Sequence, residues 1–247
     1  MELLNDHGLR PDGRKPNELR IVRCKLGVTP GADGSAYLEI GNTKAIVSVF
    51  GPSEMRGNHK SKMLTDSSFI NCQYSIAPFS KSERRTPRPR DKKSMEMTIN
   101  LHQALKSVIR ADLLPRTQID IMVEILQADG GNYCAALNAS TLALIDAGIP
   151  LREYVIACTA SLAKNDVPMV DISFLEESIG GPSLTVAMLP NSKQIAFVEM
   201  SQRFHLDNLE KVMRTAQKGC EDTFRILNNA VRLYLKEIGA PNNFGQD

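Results

Sequence analysis

Apolar and polar positions alternate with a period of two in several short runs of the chain and recur with a period near 3.6 in three longer ones. Ala45, Val47 and Val49 alternate with Lys44, Ile46 and Ser48, which predicts a strand over 43–50 with one apolar face. Similar runs predict strands at 21–28, 35–40 and 67–76, with Asp33-Gly34 and Gly41-Asn42 as the hairpin turns between the first three. Ile119, Ile121, Val123 and Ile125 share one face of a strand over 118–126. Ser94 is a capping residue for a helix whose stripe is Met97, Leu101, Ala104, Leu105, Val108 and Ile109, in a region closed by Pro115. Gly130-Gly131 leads into a second helix over 133–146, apolar nearly all round and hence buried, which Gly148 and Pro150 end.

The pattern then repeats. Strands are predicted at 154–162, 168–172, 183–189 and 194–200, with turns at Asn165-Asp166 and Asn191-Ser192. Asp207 and Glu210 fit a capping box before a long amphipathic helix, whose stripe runs from Leu209 through Val212, Ala216, Cys220, Leu227 and Val231 to Ile238. Gly239 and Pro241 stop it. Strands clustered ahead of helices predict an α+β fold in two halves, 14–150 and 151–240, with a loose tail over 241–247.

Composition narrows the class. The 247 residues are 42% hydrophobic and 23% charged, enough for a core and too apolar for disorder throughout. The longest nearly uncharged stretch, from Tyr133 to Ile145, is too short for a membrane span and holds Asn138, Ser140 and Thr141. An acidic start without an apolar run excludes a signal peptide and predicts a soluble intracellular protein. Cys24, Cys72, Cys134, Cys158 and Cys220 are odd in number and lack a CxxC, so they read as free thiols. The four histidines are scattered, and no metal site is expected.

Charge is uneven. The net charge is +2, yet 81–93 holds seven basic residues against Glu83 and Asp91. Pro87 and Pro89 predict an extended loop there. Two readings stand: a solvated surface loop, or a sequence-independent contact for a phosphate backbone.

A series of blocks, in order, carries a resemblance. They are Gly8-Leu9-Arg10-Pro11-Asp12-Gly13-Arg14, Ala32-Asp33-Gly34-Ser35-Ala36-Tyr37, Gly41-Asn42-Thr43-Lys44, Phe79-Ser80, Pro115-Arg116-Thr117-Gln118-Ile119-Asp120, Leu126-Gln127-Ala128-Asp129-Gly130-Gly131 and Ala147-Gly148-Ile149-Pro150. Together they resemble the RNase PH family over residues 8–238. More narrowly, they look like the exosome ring subunits of the type whose archaeal counterpart carries the phosphorolytic site. The resemblance implies two sheet-plus-helix halves, the first like the second domain of ribosomal protein S5. It also implies a six-membered ring around an RNA channel and, in active members, phosphate-dependent shortening of RNA from the 3′ end. No cofactor is implied. The implied partners are single-stranded RNA, other RNase PH-like subunits, S1/KH-type cap subunits and a hydrolytic 3′→5′ exoribonuclease, with no membrane. The implied location is cytoplasm and nucleus, including the nucleolus.

Residue by residue, the resemblance gives an anion pocket at Gly130, Gly131, Asn132 and Tyr133, where Tyr133 stands in place of an arginine that grips phosphate with a fork of donors. It gives a carboxylate pair at Asp171 and Glu177, with Glu177 in place of an aspartate. Arg84, Arg85, Lys92 and Lys93 match positions that contact RNA phosphates. The two departures lead to the expectation of a vestigial site and no catalysis: a non-catalytic ring subunit that guides RNA to a separate nuclease. Two alternatives remain, an active phosphorolytic 3′→5′ exoribonuclease releasing nucleoside diphosphates and a free-standing RNA-binding module.

Overall fold

The computed structural model describes residues 3–5, 7–54, 68–81, 83–84, 91–163, 166–179 and 181–239. Arg85, Pro87, Pro89, Asn165 and the tail 241–247, all singled out above, lie outside the described residues.

Two sheets form. The first has five strands, β1 (Val22–Leu26), β2 (Gly34–Ile40), β3 (Thr43–Glu54), β4 (Phe69–Ile76) and β5 (Thr117–Gln127), in the order β1-β2-β3-β5-β4. All its pairs are antiparallel except β4 with β5, which are joined through the helix α1 (Lys92–Val108). The alternation read from 43–50 holds: Ala45, Val47 and Val49 are fully buried, and Lys44, Ile46 and Ser48 face the half-exposed side. Burying a valine contributes roughly 1.5–3 kcal/mol, so this one face is a large share of what holds the strand in register.

The second sheet is wholly antiparallel. Its strands are β6 (Ile156–Leu162), β7 (Pro168–Val170), β8 (Ser183–Leu189) and β9 (Gln194–Met200), in the order β7-β6-β8-β9. Helix α2 (Asn132–Asp146) packs on β2, β3 and β6, and so joins both sheets to one core. This is why it is apolar on nearly every side. Asn138, Ser140 and Thr141, buried in its middle, are all paired: Asn138 donates to the carbonyl of Ala157 at 3.1 Å and accepts from the Ala157 amide at 2.8 Å. Thr141 donates to the carbonyl of Val155 at 2.8 Å. A short helix α3 (Phe174–Ser178) follows β7, and the 34-residue α4 (Leu206–Gly239) covers β6, β7 and β8. Val212, Ala216, Cys220, Leu227 and Val231 are buried along it, as the stripe predicts.

Two local expectations are corrected, and one element was not foreseen. Helix α1 begins at Lys92, so Ser94 lies inside its first turn and Lys92-Lys93 are helical rather than part of an extended loop. Helix α4 begins at Leu206, which places Asp207 within its first turn and not at the cap. Helix α3 has no counterpart in the sequence reading, because five residues are too few to display a helical period.

Candidate active site

Where strand β5 ends, the chain turns at Gly130 and Gly131 and enters α2. Both glycines have positive φ, 81° and 62°. At Gly130 a side chain would also meet the backbone of Ile172, Ser173 and Phe174 at 2.7 Å, so the second half of the chain presses directly on this turn. The amides that open α2 lack intrahelical partners, as at any helix start, and carry the positive end of the helix dipole. Gly131, Asn132 and Tyr133 at this helix start line a cleft of about 190 Å³. Around it stand Gly131, Asn132, Tyr133, Lys93, Glu177 and Glu199, with Lys81, Ser183 and Thr185 at its edge.

Tyr133 is only 5% exposed, and its ring packs on Phe197 with centroids 5.1 Å apart. Among the described residues its hydroxyl has no hydrogen-bond partner, and neither does the side-chain carbonyl of Asn132. Burial pushes the Tyr133 phenol well above its ordinary range, so it stays a neutral donor. Glu199 is half-buried on β9, and burial together with the nearby Glu96 raises its carboxyl, against the opposing charge of Lys93.

The expected carboxylate pair does not form. Asp171 is 6% exposed, does not line the cleft and sits in a buried network. Its two carboxylate oxygens accept from Arg20 Nε at 2.9 Å and Nη2 at 2.7 Å, and the backbone amide of Arg20 adds a third bond at 3.0 Å. Burial alone would raise this carboxyl, but Arg20 holds it below the usual range. Arg20 also donates to the carbonyls of Asp129 at 2.8 Å and Gly130 at 3.4 Å. Glu177, by contrast, is exposed and does line the cleft. A second buried clamp sits beside the first: Arg10 holds Glu176 through Nε at 2.7 Å and through Nη2, and reaches the carbonyl of Val170.

Of the RNA contacts expected, Lys92 and Lys93 are exposed on α1 and Lys93 reaches the cleft, while Arg84 is exposed. Lys81 stands between this cleft and a larger open groove of about 1,110 Å³, with its ammonium 5.1 Å from the Phe174 ring centre. Ser183, Thr185 and Glu199 were missed in the sequence. Glu199 carried a signal: it follows the apolar run Ile195–Val198 and shares a strand face with Phe197, so it breaks the apolar pattern of β9.

Residues 18–150 match the 3′ exoribonuclease family, domain 1, and residues 153–219 match domain 2 of the same family. The chain is 47% identical to the human exosome complex component RRP41, over 96% of both chains. It is 38% identical to the exosome complex component Rrp41 of Methanopyrus kandleri, an alignment covering 93% of this chain and 95% of that one. Among solved structures, one described as the Archaeoglobus fulgidus exosome with RNA bound to the active site superposes with a TM-score of 0.76 at 20% identity, covering 90% of this chain and 93% of that one. Rice Rrp46 superposes equally well, at 20% identity and over 87% and 97% of the two chains. The chain therefore belongs to the RNase PH family of 3′ exoribonucleases and has its α+β fold.

These findings overturn the expectation of a chain without catalysis. The family that spans it is one of exoribonucleases, and it matches an archaeal chain of the subunit type for which the resemblance implied a phosphorolytic site. The physical argument for that expectation also weakens. Lys93 and Lys81 bring positive charge to the cleft that Tyr133 does not supply.

Proposed function

With that family membership as premise, we propose that the chain is an exosome ring subunit that acts on the 3′ end of RNA by phosphorolysis. One observation carries the reading: the start of α2, Tyr133 and Lys93 line a single cleft, and the Tyr133 hydroxyl, sealed behind its wall, has no partner among the described residues. Free amides at a helix start bind anions, and a neutral hydroxyl and an ammonium add the donors that phosphate oxygens accept.

Phosphate docked there attacks the phosphorus of the last phosphodiester. The bond to the preceding 3′ oxygen breaks, and a nucleoside diphosphate leaves. The donors at the α2 start hold the attacking phosphate in line, which is where most of the rate gain in such reactions originates. The departing oxygen needs a proton, and Glu199, whose carboxyl is raised by burial, is placed in the cleft to give one. Arg84 and Lys92 then serve the RNA backbone upstream, and further RNase PH-like subunits complete the ring.

The test is an assay of the assembled ring on a single-stranded RNA with and without inorganic phosphate. Nucleoside diphosphates that appear only with phosphate, and fall sharply when Lys93→Ala and Tyr133→Phe are combined, support the proposal. Absence of phosphate-dependent product from the intact ring overturns it.

A further inference from the structure

The donors that open α2 are positioned from behind. The carbonyls of Asp129 and Gly130 both point at the guanidinium of Arg20, at 2.8 Å and 3.4 Å, and Thr43 Oγ1 donates to the Gly130 carbonyl at 2.7 Å. In a trans peptide the N–H lies opposite the preceding C=O. Fixing these two carbonyls therefore turns the amides of Gly130 and Gly131 away from Arg20, and Gly131 lines the cleft. Arg20 is in turn oriented by Asp171, which takes a fork of two side-chain bonds and adopts a left-handed backbone, φ 53°, to do so. A side chain on Gly131 would lie 3.1 Å from Arg20 Nη2, so glycine there is what allows the guanidinium so close.

Resting on the phosphorolytic reading of the cleft, we infer that Arg20 and Asp171 are a positioning pair for phosphate. Neither touches the substrate. Arg20 holds the turn that presents the amides, and Asp171, contributed by the second half of the chain, holds Arg20. The pair thus links the seating of the second half to the affinity for phosphate, and leaves the RNA track on α1 untouched.

The experiment uses the assembled ring and measures KM for phosphate, KM for RNA and kcat in parallel, with inorganic phosphate binding followed by phosphorus NMR. In Arg20→Lys the charge stays and the fork is lost, so KM for phosphate should rise about tenfold to a hundredfold with KM for RNA unchanged. Asp171→Asn should follow in the same direction. Thr43→Val, which leaves the ion pair intact and removes one anchor of the Gly130 carbonyl, should give a smaller rise in the same constant. It also serves if the other variants do not fold. A merely structural role would lower the fraction of active protein, and hence kcat, at constant KM. Unchanged KM for phosphate in cooperatively melting Arg20→Lys or Thr43→Val overturns the inference. If the unaltered ring neither binds phosphate nor releases diphosphates, the functional reading has failed, and amide hydrogen exchange still decides the pair. Faster exchange at 130–133 in Arg20→Lys supports positioning, and equal exchange overturns it.

Discussion

Asp171 stands just before helix α3 and Glu177 within it, six residues on, and their surroundings are opposite. Asp171 is sealed among Arg20, Arg14 and the backbone, with its carboxyl held low. Glu177 is exposed at the edge of a cleft that also holds the raised carboxyl of Glu199 and the unpartnered hydroxyl of Tyr133. One region is finished, with nearly every donor matched to an acceptor. The other keeps donors and acids in reserve. Matched charge is the mark of scaffold, and unmatched polarity at a cleft is the mark of a place where something binds.

The largest expected effect comes from opening the finished region. Asp171→Ala leaves the Arg20 guanidinium buried without its partner and should cost about 3–5 kcal/mol in denaturant unfolding. Glu177→Ala should leave the same midpoint unchanged, and a comparable loss there would dissolve the contrast.

Acid sharpens it next. Asp171 and Glu176 both titrate below their unfolded values, because Arg20 and Arg10 favour the charged forms against burial. Their contribution is therefore complete above the unfolded carboxylate range near about pH 4 and is lost as pH falls through the lower folded values. Stability curves should bend down below that range, and Asp171→Asn should make the bend shallower.

Tyr133→Phe probes the cleft. Removing a buried hydroxyl that has no partner should raise stability by about 1 kcal/mol in phosphate-free buffer. Added phosphate should then stabilise the parent chain more than the variant. A melting series across phosphate concentrations reads both effects. The smallest change is expected from Glu199→Gln. The Glu199 carboxyl is raised, so at neutral pH its charged form opposes folding, and the neutral amide should increase the melting temperature slightly. A decrease would mean that Glu199 belongs with Asp171 as a scaffold residue.

The sequence alone yields the strands of the first sheet, because Val47, Val49, Ile121 and Ile125 bury one face of long β3 and β5, and period two survives over that length. Helix α2 was legible for a related reason. Apolar residues on every side mean contact on every side, and two sheets supply it. The carboxylate pair was misplaced because spacing in a chain says nothing of direction. A positive-φ residue followed by a short helix sends Asp171 inward and Glu177 outward. Glu199 is brought to Tyr133 only by the packing of β9 against α1 and of Phe197 against the tyrosine ring, over 66 residues of separation that no local motif spans. The sequence reading assigned no role to Arg10 or Arg20. Their partners lie more than 150 residues away.

That separation sets an order in time. As the chain leaves a ribosome, the first sheet and α2 gather their own residues early, whereas Arg10 has to wait until Glu176 emerges, 166 residues later. Closing so long a loop is slow compared with forming neighbouring hairpins. Until the second half arrives, two arginines of the amino-terminal arm are without their carboxylates, and the turn before α2 is without its backing. The nascent protein can therefore begin to pack the first sheet before the second half supplies the rest of the shared core, and the cleft beside α2 is complete only once β9 has been made.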